Sequence, residues 1–539
     1  MTRTVLDYHE LSKHRLERYA PGPGYLDWAT QPDPFRAYAP SERIELPLLA
    51  DDLAARFNDL RVGRLPPPAP LDADAIAALL ELALGLSAWK SHRGASWALR
   101  CNPSSANLHP TEGYVVCDAM PGLDAGVYHY VSRDHALERR ARLAAAPHFA
   151  AGVIVGLTSI YWREAWKYGA RAFRYCAHDC GHAIAAVAYA AAALGWRTRY
   201  LAEPGDADVA RLLGLDRDAD FAGAEREVPD CLLWVGTGGT PTVEALVKAV
   251  AGAAWSGAAN VLSPARVEWR EIDRAHAATV RPRTPLASRF APRGTVPIPR
   301  TPALDLPAAG IIRQRRSAVD FDGVTAIDAG AFYAMLEPLV PRAGVPPWDA
   351  WPHAPRVHLG MFVHRVAGLA PGLYAFVRAP EAAERLRRAM RPDWLWRKCG
   401  PAALDLFLLV EHDLRESART VSCHQDIAAD SCFALGMLAD FAPVAREPWR
   451  YRELYWECGI VGQALYLEAE AAGIRATGIG CFFDDAMHRL LGLPPGGAGP
   501  RPWQSLYHFT AGGAVEDARL ATLPPYSFAA RSRVAPARR

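Results

Sequence analysis

The chain repeats itself, and that repetition limits its architecture more than any other feature. "GLDAGVYHYV" from Gly122 has a counterpart in "GLAPGLYAFV" from Gly368. Each is a Gly-Leu turn followed by Gly-x-Tyr-x-aromatic-Val, the alternation of a strand leaving a hairpin. "CGHAIAAVAYAAAALGWR" from Cys180 is answered by "CGIVGQALYLEAEAAGIR" from Cys458, and fourteen residues separate Gly181 from Gly195 and Gly459 from Gly473. An apolar, Ala-rich run closed by Gly reads as a close-packed helix with its C′ glycine. "CLLWVGTGG" from Cys231 and "SLYHFTAGG" from Ser505 form a third, strand-like pair in the same order. The pattern predicts two copies of one α+β unit in a single chain, an intramolecular counterpart of a homodimer.

A Pro/Arg-rich segment without apolar periodicity separates the copies. It divides the 539 residues into a first unit over 1–280, a connection over 281–306, a second unit over 307–525 and a tail over 526–539. Sixty basic against 58 acidic residues give a net charge of +2, too balanced for a nucleic-acid partner. Only five of the basic residues are Lys. The opening "MTRTVLDYHE" carries no secretory pattern. The longest apolar run, Ala183 to Trp196, is Ala-rich and shorter than the ~20 residues of a membrane span, so no membrane association is expected. Ten cysteines without a secretory context read as reduced thiols of a cytoplasmic protein.

The copies differ where chemistry would sit. The second begins "IIRQRRSAVDFDG", in which Arg315, Arg316 and Ser317 set two guanidiniums and a hydroxyl side by side. Such a group suits phosphate oxygens. It also carries "GIRATGIGCFFDD", where Gly478 and Gly480 flank Ile479 and permit close approach of backbone to a flat ring. Arg519 follows its final strand. The first copy lacks these and instead holds "LRCNPSSANLHP", Leu99 to Pro110, a loop offering hydroxyls and amides from Ser104, Ser105 and Asn107 beside Pro103. Each copy has kept what the other lost. A symmetric dimer with two interfacial sites would reach this state on fusing and retaining one.

"RRS" at a domain start, "NPSSANLHPTEGYVV", and Gly-Ile-Gly after an Ala-rich helix resemble the nitroreductase superfamily of flavin enzymes. "YHELSKH" and "LDWATQPDPF" are similar to its tandem-domain branch, related to SagB-type azoline dehydrogenases. The resemblance implies two nitroreductase-like domains forming a pseudo-dimer, each a mainly antiparallel sheet packed with helices. It implies FMN between them, with phosphate on Arg315, Arg316, Ser317 and Arg519. The ring would lie against Pro103, Ser104, Ser105 and Asn107, with Gly478, Ile479 and Gly480 near N5. The missing reciprocal motifs reduce the expectation to one FMN per chain. Lys167-Tyr168 resembles the acid/base pair of azoline dehydrogenases, and the bland alternative is a surface Lys beside a packing Tyr.

Other residues invite competing readings. Cys176, His178, Cys180 and His182 form two i, i+4 pairs on opposed sides of one helix, so no metal site is expected and packing roles are preferred. Arg171 and Arg174 face either an acidic substrate or carboxylates such as Glu164. His109 reads as a loop-fixing residue or a proton donor, and Cys101 as a packing thiol.

These readings predict an FMN-dependent oxidoreductase moving a hydride between N5 and a small or peptide-derived substrate. NAD(P)H is an electron donor that the resemblance allows although no G-x-G-x-x-G fingerprint follows a strand. The rival is a non-catalytic flavin-binding or scaffold pseudoenzyme in a biosynthetic complex, supported by the loss of motifs from each copy.

Overall fold

The computed structural model describes residues 1–143, 149, 151–285, 290–292, 305–493 and 502–528. Six strands of each half follow one spatial order. In the first half they are Ala136–Arg142, Gly126–Val131, Thr111–Cys117, Gly152–Ser159, Val228–Gly236 and Arg197–Tyr200. In the second they are Leu406–Glu411, Gly372–Phe376, Val357–Val363, Phe433–Asp440, Trp503–Gly512 and Arg475–Ile479. Neighbours are antiparallel throughout both sets. The repeated Gly-x-Tyr and Cys231/Ser505 segments thus take the second and fifth places of equivalent sheets. The fold is α+β and tandem, as the repeats predict.

Helix α1 (Tyr161–Tyr168) ends at Gly169, and α2 (Ala172–Ala193) follows at once. The counterpart of α2 is α3 (Arg450–Ala471). Both long helices stop where the repeat places a glycine: Gly195 and Gly473 take φ values of +73° and +77°, accessible at little cost only without a Cβ. The helices pack on each other, and each also packs on strands of its own half. All of α2 is buried. Its many Ala residues let helix and sheet approach closely.

The repeated Cys-Gly pairs mark where α2 and α3 cross. A Cβ on Gly181 would collide with the Trp456 carbonyl oxygen, and one on Gly459 would meet the Gly181 Cα at 2.7 Å and the His178 carbonyl oxygen nearer still. The contact is reciprocal, as a pseudo-twofold axis requires. Gly181→Ala is expected to force the helices apart and to cost about 1–3 kcal/mol, the range for overpacked cores. Chemical denaturation of the two proteins measures this, and an unchanged midpoint would show that the crossing has slack.

The two ends of the chain exchange halves. The first helix, Thr2–Leu11, belongs by sequence to the first unit, yet His9 bonds Gln504 at 2.9 Å and Tyr451 at 3.2 Å. Lys13 pairs with Asp485 at 3.0 Å. Conversely, Ala521–Leu523 adds a strand to the Leu86–His92 and Ala95–Arg100 hairpin of the first half. Tyr526, at the head of the segment read as a tail, receives a hydrogen bond from the Leu86 N–H at 3.1 Å. The remaining tail, 529–539, and residues 286–289 and 293–304 of the connection lie outside the described residues. No helix among the described residues is long and apolar enough to cross a membrane.

Candidate functional site

The hairpin that receives the C-terminal strand leads into the Pro-Ser-Ser loop. Ala106, Asn107 and His109 all have left-handed backbone, with φ of +51°, +58° and +50°. Such conformations are costly for residues bearing a Cβ and persist only where surroundings impose them. Here several bonds do so. The His109 N–H donates to Ser104 Oγ at 2.8 Å, and Arg163 donates to the His109 carbonyl at 2.8 Å. The imidazole Nε2 lies 3.0 Å from the Ala98 carbonyl. Burial, with the Arg100 and Arg163 charges adding to it, holds His109 well below the usual histidine range. The ring is therefore neutral with its proton on Nε2, the nitrogen that must donate to a carbonyl. His109 fixes the loop.

The second half meets this loop with Arg315–Ser317, which follow the helix Ala308–Gln314. Tyr466 of α3 organises the meeting: its hydroxyl lies 2.8 Å from Ser317 Oγ and accepts the Gly478 N–H at 2.9 Å. A Cβ at Gly478 would strike the Tyr507 hydroxyl, so the glycine is required for this approach. Arg315 lies over the Tyr466 ring at 4.9 Å and donates to the Arg100 carbonyl at 3.0 Å. Its Nε and Nη1 are buried with no hydrogen-bond partner. Arg316 reaches the carbonyls of Arg313, Arg315 and Ser87 at 2.6, 2.7 and 2.8 Å. Burial, then the neighbouring Arg315 charge, pushes Arg316 down to about 10. Among the described residues neither guanidinium has a carboxylate ion-pair partner. The nearby acid is Glu470, which accepts the Arg316 backbone N–H at 3.1 Å and is close enough to feel both guanidinium charges.

Between the loop and the Arg pair lies a cleft of about 290 Å³. Pro103, Ser104, Ser105 and Asn107 line one side, and Arg315, Arg316, Ser317 and Gly478 the other. Lys90, Arg100 and Arg475 add positive charge to its wall, against Asp179, Glu516 and Asp517. Glu516 is paired with Arg475, and Asp517 with Arg519 at 2.8 Å. The wall therefore favours an anionic ligand. Orphaned guanidinium nitrogens, hydroxyls from both halves and a glycine floor fit a phosphorylated planar cofactor.

Other candidate residues stand apart from the lining. Ile479 is buried in the second half's core. The space a Gly480 Cβ would occupy is filled by the Tyr175 ring, and the Gly480 carbonyl accepts from Arg171 at 3.0 Å. Arg519 points outward and binds the acid two residues before it. Lys167 and Tyr168 are half-buried on α1, with the ammonium 5.6 Å from the phenol ring centroid, and Tyr168 meets Tyr175 edge-on at 4.4 Å. Burial raises the Tyr168 hydroxyl well above its ordinary value.

Sequence reasoning overlooked Asp179, Tyr466, Thr477 and Tyr507 in the lining and read His182 as packing. Asp179 is buried, its Oδ2 unpartnered, and burial pushes it up to about 8. Glu164 of α1 lies nearby with Ser104 Oγ 3.4 Å from its Oε1, and burial raises it strongly. Its contiguity with Cys180-Gly181 in the repeat was the available signal for Asp179. Within the alternating Cys/His run, His178 bonds the Leu506 carbonyl at 3.0 Å and stacks on Tyr507 at 4.0 Å. His182 lies 3.2 Å from the Tyr507 hydroxyl. Arg171 and Arg174 pair with Asp484 rather than Glu164, at 3.1 and 2.6 Å.

A family model described as the nitroreductase family matches residues 67–224 and 375–512, more than half the chain. The chain belongs to the nitroreductase family. The two matched segments of this nitroreductase-family chain contain Ser104 and Gly478, one from each side of the cleft. A nitroreductase-type protein from Anabaena variabilis is similar along its whole length: 20% identity, 95% of this chain and 99% of that one covered, TM-score 0.69. The tandem architecture is thus shared by another solved protein. Weaker likeness extends to the Escherichia coli microcin synthetase McbBCD complex with truncated pro-MccB17 bound, at 19% identity, 38% and 70% coverage and TM-score 0.26. A nitroreductase with bound FMN from Bacteroides fragilis is similar at 17% identity, 39% and 89% coverage and TM-score 0.20. No functionally curated protein matches the chain in sequence.

Proposed function

We propose that this nitroreductase-family chain is an FMN-dependent oxidoreductase with one composite flavin site between its halves. A flavin held there would supply two-electron hydride chemistry toward a small or peptide-derived substrate. The carrying observation is Arg315: a buried guanidinium with two unpartnered nitrogens, opposite a hydroxyl loop from the other half. Arg315, Arg316 and Ser317 would hold the flavin's phosphate, while Pro103, Ser104, Ser105 and Asn107 would bound the ring and Gly478 would leave it room. Burial raises both Asp179 and Glu164 beside Ser104, so this acid pair holds a proton at the cleft wall. Lys167 and Tyr168, outside the cleft lining but close enough to Glu164 to act on its charge, are the proposed proton-handling pair.

Purified protein is expected to be yellow and to release about one FMN per chain on denaturation, an occupancy that follows from one composite site. Lys167→Ala is expected to retain flavin within about twofold of wild type while slowing turnover by ~10²-fold, the usual scale for losing a general acid or base. Colourless protein that takes up no FMN would favour the scaffold role. Lys167→Ala protein with full turnover would remove that residue from the chemistry.

A further inference from the structure

Ten cysteines are present, and they differ sharply in surroundings. Seven are buried, among them Cys180 and Cys231, which touch each other inside the core. Cys423 and Cys481 are partly exposed and close enough for each to act on the other's thiol. They come from separate segments clamped side by side. The Phe483 N–H donates to the Val421 carbonyl at 2.8 Å, and Gln425 donates to the Cys481 carbonyl at 3.0 Å. Cys423 itself is left-handed, φ +56°, in the turn that follows Val421.

The chain's N-terminal segment completes the setting. The His14 ring contacts Cys481, and its Nδ1 accepts the Ala20 N–H at 2.9 Å, so the proton on the ring belongs to Nε2, the donor left for sulfur. Arg171 adds positive charge from α2. No role in the flavin cleft uses these groups: neither cysteine lines it.

We propose that Cys423 and Cys481 are an oxidant-reactive dithiol, with Cys481 the attacking sulfur and Cys423 the resolving one, and with a hydroperoxide as oxidant. The Cys481 thiolate attacks the distal oxygen of the peroxide, the O–O bond breaks, and the departing alkoxide takes a proton to become an alcohol. Cys481 is then a sulfenic acid. The Cys423 sulfur displaces its hydroxyl, an S–S bond forms and water leaves. Two thiols lose two electrons and the hydroperoxide gains them.

The electrostatics assign the roles in the same sense. Hydrogen bonding from the Cys423 thiol, then His14 and the Arg171 charge, draw Cys481 below the usual thiol range against the opposing effect of burial. The same bond holds Cys423 high, leaving it the proton donor. Cys399 is comparably exposed but burial raises it, and it serves as an internal control.

The test is stoichiometric hydrogen peroxide on the full-length protein after removal of reductant, followed by alkylation and peptide mass spectrometry. The expected product is a Cys423–Cys481 linked peptide, with Cys399 and the buried thiols still alkylated. Cys481→Ser is expected to slow peroxide-dependent thiol loss by at least about tenfold. Cys423→Ser is expected to accumulate a dimedone-reactive sulfenic acid on Cys481. Recovery of both cysteines as free thiols while Cys399 oxidises, or an unchanged rate in Cys481→Ser, would overturn the proposal. Flavin content is not part of either readout, so the result stands apart from the oxidoreductase reading.

Discussion

Arg315→Ala is expected to weaken FMN binding by about 10- to 150-fold, the consequence of losing ~1.5–3 kcal/mol of charge-assisted hydrogen bonding. The reasoning is geometric. Arg315 already donates one nitrogen to the Arg100 carbonyl, which fixes the side chain, and keeps two buried nitrogens without partners. A phosphate is the natural acceptor for such a fork. Arg316→Ala is expected to lose binding too, and in addition to loosen the join between halves, because its guanidinium ties the Arg313, Arg315 and Ser87 carbonyls together. Flavin-fluorescence titration reads the affinity and thermal melting the join. Both should exceed any binding effect of Lys167→Ala. Equal retention by Arg315→Ala and wild type would remove the phosphate role.

The second large effect concerns Asp484. Its carboxylate, fully buried, holds Arg174 at 2.6 Å and Arg171 at 3.1 Å, and those guanidiniums also bond the Ser12 and His9 carbonyls of the N-terminal segment. One acid therefore joins the first half, the second half and the exchanged N-terminus. Asp484→Asn leaves two buried cations uncompensated and is expected to cost about 3–5 kcal/mol, the usual penalty for breaking a buried pair. The Arg174 and Arg171 charges hold Asp484 below the ordinary carboxylate range despite burial. The stability it contributes is thus full above the unfolded value of about 4 and is lost as pH falls below it. Wild type should lose stability below about pH 4 more steeply than Asp484→Asn does. Thermal melts from pH 7 downward compare them, and a variant equal to wild type at pH 7 would contradict this account.

The duplication was legible because it lies in periodic elements. Helix-length Ala runs with a closing glycine and alternating strands keep their pattern whatever they pack on, and Gly181 and Gly459 stand at the crossing that makes them necessary. The exchange of termini left no such mark, since a two-sided hairpin accepts an added strand through backbone bonds. Both sides of the cleft were legible as motifs with unusual residue types. Tyr466 and Tyr507 were not, because a tyrosine in an apolar helix or strand looks like packing until its hydroxyl is seen at a glycine. Arg519 carried a readable warning: Asp517, two residues earlier, neutralises it. The partner of Arg171 and Arg174 was beyond local reasoning, being some 310 residues away along the chain.

Equilibrium titration of flavin-free protein with FMN tests the composite site most directly, using one substitution in each half. Wild type should bind one FMN per chain, and Ser105→Trp, which fills the loop side, and Arg315→Ala, which removes an anchor, should each weaken that same single event. Two binding events per chain, or a substitution in one half that leaves binding intact, would contradict a site shared between the halves.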